Sequence, residues 1–158
     1  MTSDFKIVPF QNKFINFFID LNIEWLEEYF EIEPYDLEIL NNCENLIINK
    51  GGFIFFGKKN NQIVSTFALI KRASGCFELA KMAVKKSMRD NGYGNKMIEF
   101  VITFGKKNKW KEIYLYSSTK LKNSIHLYNK YGFKKVQIKG LNPYKRGDIK
   151  MKLILINL

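Results

Sequence analysis

Apolar residues recur along this chain with two different periods, and the switches between them mark its elements. Residues 5–10 read as a short strand. Phe14, Phe17, Phe18, Leu21 and Trp25 then recur at three- and four-residue intervals, which predicts an amphipathic helix over 12–30. Pro34 suits the first turn of a second helix, where its missing N–H is not needed. Leu37, Leu40, Cys43 and Ile47 would form its inward stripe, and Gly51-Gly52 its end. Residues 53–57, 62–72 and 76–84 read as strands. Asn60-Asn61 and Ser74-Gly75 supply tight turns between them, so they form an antiparallel meander.

Helical spacing returns over 92–107, with Met97, Ile98, Val101 and Ile102 facing inward. A strand at 112–117 follows that helix and should lie parallel to 76–84. A short helix at 124–130 ends at Tyr131-Gly132. Strands at 133–139 and 148–156 close the chain, joined by a loop with Gly140, Pro143 and Gly147. The order β-α-α-β-β-β-α-β-α-β-β implies one α/β domain with a mixed sheet across residues 1–158.

Composition narrows the class. An apolar share of 46%, with 14 Phe and 8 Tyr, belongs to a chain that folds. No run approaches the roughly 18 apolar residues of a membrane span. The first ten residues lack a secretory pattern, and Cys43 and Cys76 have no metal-like spacing, so free thiols and a cytoplasmic location are expected. With His126 the single histidine, no His-rich metal site is expected.

The net charge of +11 raises a nucleic-acid reading, but the lysines are scattered and no helix gathers them with aromatics on one face. The distribution is more telling. From Phe14 to Asn49 there is no Lys or Arg, while Glu24, Glu27, Glu28, Glu31, Glu33, Asp36 and others fill the stretch. It is either a solvated helix pair or a surface that attracts a cation.

Chemistry concentrates at Glu78–Asn95. The strand ending at Val84 runs into a basic loop, and Arg89-Asp90-Asn91-Gly92-Tyr93-Gly94 opens a helix. A helix start behind a glycine-bearing turn points backbone N–H groups at a phosphate. The pattern is neither a Walker loop nor the dinucleotide fingerprint. Downstream lies Leu127-Tyr128-Asn129-Lys130-Tyr131-Gly132-Phe133. With the element order, these two signatures resemble the GNAT superfamily of acetyl-CoA-dependent N-acetyltransferases over essentially the whole chain.

The resemblance implies roles residue by residue. Met82 and Val84 would offer backbone groups to the pantetheine arm of acetyl-CoA, as an added strand does. Arg89, Asn91, Gly92, Gly94 and Asn95 would hold the pyrophosphate through backbone N–H groups, with Arg89 adding charge. Lys85, Lys86 and Lys96 are candidates for the 3′-phosphate. Tyr128 would protonate the departing thiolate, with aromatic packing as its other reading. Glu78 would serve as base, or else be a solvent-facing strand residue or an ion-pair partner. An oxyanion donor is expected near Met82 or Ala83. Neither cysteine is placed as a nucleophile, so direct attack in a ternary complex is expected. The chain departs from the family at Leu121, where many members carry Asn, and Asn123 is expected to cap the short helix instead.

The family builds its acceptor site from the first two helices and the last hairpin. Here that segment is acidic, so a cationic small-molecule or peptide amine is expected, with Arg146 and Asp148 on the rim, or paired with each other. Two alternatives stay open: an acyl-CoA-binding module without catalysis, and pairing of the closing strand with a second copy into a homodimer.

Overall fold

A computed structural model describes residues 4–156. The elements are β1 (Phe5–Pro9), α1 (Ile15–Tyr29), α2 (Pro34–Asn41), a single turn α3 (Cys43–Leu46), β2 (Phe53–Lys59), β3 (Gln62–Ala73), β4 (Cys76–Val84), α4 (Tyr93–Lys107), β5 (Glu112–Ser117), α5 (Lys122–Lys130), β6 (Lys134–Val136) and β7 (Ile149–Ile154). The seven strands form one sheet in the order β1-β2-β3-β4-β5-β7-β6. β4 and β5 are parallel, and the other neighbours are antiparallel. Among the described residues no helix is long and apolar enough to cross a membrane.

The meander follows local chemistry. Asn60 and Asn61 both take positive φ, 49° and 64°. That conformation suits the twist of a two-residue hairpin, and asparagine tolerates it. Strand alternation then divides the core into two layers. Phe55, Phe67, Leu69, Phe77 and Leu79 face α4 together with Met97, Ile98 and Val101. Ile54, Phe56, Ala68 and Ile70 face the first helices, against Phe18, Leu21, Leu40 and Ile47.

The long second helix expected from sequence is broken. Asn42 leaves helical geometry (φ −126°, ψ 30°), and its side-chain amide donates to the Glu38 carbonyl at 2.9 Å. Beyond it the chain makes only the α3 turn and a 3-10 turn at Ile48–Lys50. Leu37, expected inward, is exposed. Asn123 does not cap the short helix; that helix starts earlier, from Leu121, and takes Asn123 inside. The closing strands are shorter than expected. The expected ends of the chain, residues 1–3 and 157–158, lie outside the described residues.

Candidate active site

β4 and β5 pair for only three positions, Cys76↔Glu112, Phe77↔Ile113 and Glu78↔Tyr114. Past Glu78 the strands part, and a cleft of about 790 Å³ opens between them. Leu79–Val84 line one wall and Leu115–Ser118 the other, with Tyr128 on α5 and the start of α4 beyond. Parallel neighbours that separate leave backbone N–H and C=O groups without ladder partners, and a bound ligand can satisfy them.

A bulge in β4 sets which side chains face which way. Ala68 pairs with Ala80 and Thr66 with Ala83, so one strand carries an extra residue there. Lys81 absorbs it with φ 55°. The bulge reverses the alternation. Before it, Phe77 and Leu79 pack on the α4 layer; after it, Met82 and Val84 do so. Glu78, Lys81 and Ala83 are thereby sent toward α1 and α2.

Glu78 is 1% exposed, so burial raises its pKa, and the Arg72 charge opposes that rise. Arg72 donates to Glu78 Oε1 from Nε (3.0 Å) and Nη2 (2.7 Å). Oε2 takes no hydrogen bond within the described residues. The expected ion pair is thus present, the expected solvent-facing position is not, and Glu78 lines the cleft. Tyr128 is half-buried, packs near Phe133 with ring centroids 6.0 Å apart, and lines the cleft. Desolvation pushes its hydroxyl to about 12, a value at which it carries its proton.

At the other end, Gly92 precedes α4 with φ 78°, and a Cβ there would meet nothing within 4 Å. Glycine is needed for the left-handed turn, not for space. Gly94 differs: its Cβ would stand 3.2 Å from Leu127 Cδ2, so it lets α4 approach α5. The first N–H groups of α4 lack helical partners and open to the cleft beside Gly92, Gly94 and Asn95. Arg89 lines this end as expected, but its guanidinium is occupied. It forms a short pair with Glu28, bonds Tyr29 Oη at 3.2 Å and donates from Nε to the Val84 carbonyl at 3.1 Å. Its Nη2 is buried without a partner. Asn91 does not line the cleft; its amide braces the loop through the Met88 and Arg89 carbonyls, at 2.9 and 3.2 Å. The Asn95 side chain accepts from Lys130 and Tyr131 and ties α4 to α5.

Sequence reasoning missed one assembly. Lys81, 3% exposed at its side chain, reaches Asp36 on α2 at 2.5 Å. Arg146, from the loop before β7, donates Nη1 and Nη2 to the two Asp36 oxygens at 2.7 and 2.8 Å. It also bonds Glu33, whose carboxylate accepts the Lys145 and Arg146 amides. Burial works against the Asp36 charge, but Arg146 and Lys81 outweigh it and hold the carboxyl at about 2. A lysine inside the apolar run Leu79–Val84 was the available signal.

Part of the acidic segment is engaged by partners within the protein. Glu28 pairs with Arg89 and Lys86, Glu24 accepts the Lys86 amide, and Glu33 and Asp36 are bound to Arg146. Arg146 and Asp148 do not pair with each other: Asp148 accepts from Thr119.

Residues 15–133 match the model of the Acetyltransferase (GNAT) family. The chain belongs to that family. A curated relative, an uncharacterized N-acetyltransferase of Bacillus licheniformis, is 28% identical over 143 residues, spanning 78% of this chain and 85% of the relative. Among solved structures, a GNAT-family acetyltransferase of Staphylococcus aureus superimposes with TM-score 0.85 at 22% identity, covering 96% of this chain and 99% of that one. A spermidine N-acetyltransferase of Vibrio cholerae, solved in complex with CoA and spermine, gives TM-score 0.75 at 16% identity, covering 96% of both chains.

Proposed function

We propose that this protein transfers an acetyl group from acetyl-CoA to a primary amine by direct attack in a ternary complex. The observation that carries the reading is the divergence of β4 and β5 just past Glu78, with Tyr128 on the far wall of the same cleft. Family membership supports acyl transfer, and the CoA-bound structure of a fold relative supports the donor class. The residues at the α4 end suit a polyanionic donor: open helix N–H groups, a buried unpartnered Arg89 Nη2, and Lys122 and Lys130 against the one carboxylate of Asp90.

In this reading Met82 and Val84 hold the pantetheine arm by backbone bonds, and Gly92, Gly94 and Asn95 hold the pyrophosphate. Arg89 and Asn91 shape that turn. Glu78, through Oε2 and a bridging water, takes the proton of the attacking nitrogen as the N–C bond forms. The C–S bond breaks, and Tyr128 gives its proton to the departing sulfur. Backbone N–H groups near Met82 stabilise the oxyanion between these steps. The acceptor is a small-molecule or peptide amine; the spermine-bound relative is an amine acetyltransferase of this fold.

The test is amine-dependent release of CoA thiol, measured with a panel of primary amines. Turnover with at least one amine supports transfer. Tight acetyl-CoA binding with no release from any amine favours a non-catalytic acyl-CoA-binding module. The pH profile tests Glu78. A base with a raised pKa is active above that value, so kcat/KM should fall on the acid side at a pH above the ordinary carboxylate value of 4.5. That limb should vanish in Glu78→Gln.

A further inference from the structure

The segment that the composition marks as acidic does not present its charge to the cleft. Glu33 and Asp36 are bound to Arg146, and Glu28 is bound to Arg89 and Lys86. None of these carboxylates lines the cleft. On the acceptor side, the charged lining residues are Glu78, Lys81, Lys120 and Arg146. Glu78 is held by Arg72 and Lys81 by Asp36.

Lys120 and Arg146 remain. They come from different loops and converge on one ring. Lys120 Nζ stands 4.5 Å from the Phe30 centroid and Arg146 Cζ 5.8 Å from it. Lys120 is exposed and forms no ion pair among the described residues. Arg146 uses Nη1 twice and Nη2 once, so of its five N–H groups Nε–H and one on Nη2 have no partner among the described residues. Arg146 is already paired with Glu33 and Asp36, yet both side chains keep N–H donors to spare at a cleft mouth where the lining carboxylate, Glu78, is held by Arg72.

We infer that the acceptor is an amine that also carries an anionic group, a carboxylate or phosphate, which seats between Lys120 and Arg146 beside Phe30. This inference rests on the acetyl-transfer reading above and gives the acceptor's class. The chemistry is consistent with catalysis as well. A positive wall disfavours an incoming ammonium relative to the neutral amine, and the neutral amine is the nucleophile. A polyamine would bring further ammonium groups to that wall, where the lining carboxylate, Glu78, is already paired with Arg72.

Matched acceptors that differ only in the anionic group test this: phenylalanine against phenethylamine, lysine against cadaverine, phosphoethanolamine against ethanolamine, with spermidine alongside. With the full chain and saturating acetyl-CoA, the anionic member of a pair should show at least a tenfold higher kcat/KM. Lys120→Met should bring that ratio close to one, and Lys120→Glu should invert it. A larger ratio for the phosphate or for the carboxylate pair identifies the anion. Equal rates within every pair, or a preference for spermidine, would overturn the inference while leaving acetyl transfer intact. A ratio that survives Lys120→Glu while acetyl-CoA affinity falls would also overturn it, by assigning Lys120 to the donor. No release with any amine would overturn the transfer reading; calorimetry with the same pairs on the CoA complex would then still read the anion preference.

Discussion

The two ends of the cleft are built on opposite plans. The end proposed for the donor is made mainly from the stretch β4 to the start of α4, with α5 beside it, and its groups are mostly backbone. The acceptor end is made from three distant segments: α2, the β4 bulge and the loop before β7. There Lys81, Asp36, Glu33 and Arg146 join across 45 and 110 residues of sequence separation. A backbone site tolerates side-chain change provided the turn survives. A site held by buried charge depends on each partner, because removing one strands the others.

The largest effect expected from this contrast is at Asp36. Asp36→Ala leaves Lys81 buried without its counter-charge and frees Arg146. It should cost about 3–5 kcal/mol, read from denaturant unfolding. A cost near zero would mean that the acceptor end is not held by charge.

Next is Tyr128→Phe, which keeps the ring packing and removes only the proton. A fall in kcat of about 100-fold is expected, at the lower end of what a general acid contributes. An unchanged kcat would return Tyr128 to a packing role.

A smaller effect separates the ends by pH. The Asp36 carboxyl is held at about 2 in the folded protein against an ordinary 3.8. A depressed value adds stability above the unfolded pKa and loses it as pH falls through the folded one. Roughly 2 kcal/mol should therefore be present above about pH 4 and be lost toward pH 2. Asp36→Asn should flatten that part of the stability profile relative to the parent chain.

The smallest is at the donor end. Gly92→Ala meets no neighbour and costs only the positive φ, about 1 kcal/mol. A much larger loss of stability would show that the turn is more constrained than the open space around Gly92 implies.

The donor end was the legible one. The glycine turn at Arg89–Gly94 and the run Leu127–Phe133 are local patterns, and each lies where the element order placed it. Within it, the Asn91 side chain braces the loop and the Arg89 side chain is paired. Neither outcome is local: one depends on which way a loop turns, the other on Glu28 arriving from α1. The α2 helix shows the same limit. Its apolar stripe read as continuous, yet the chain leaves helical geometry at Asn42.

Hydrophobic period, turn residues and glycine positions act over a few residues, and so the sequence by itself determined the order of elements, the meander, the parallel β4–β5 pair and the glycine turn at one end of the cleft. The acceptor end was decided by the tertiary structure alone. One extra residue at Lys81 reversed the strand's alternation, and only packing could choose where to place it. Glu24, Glu28, Glu33 and Asp36, which read as part of an acidic surface, are bound by partners far along the chain. Net charge adds along a sequence, but pairing depends on distance in space.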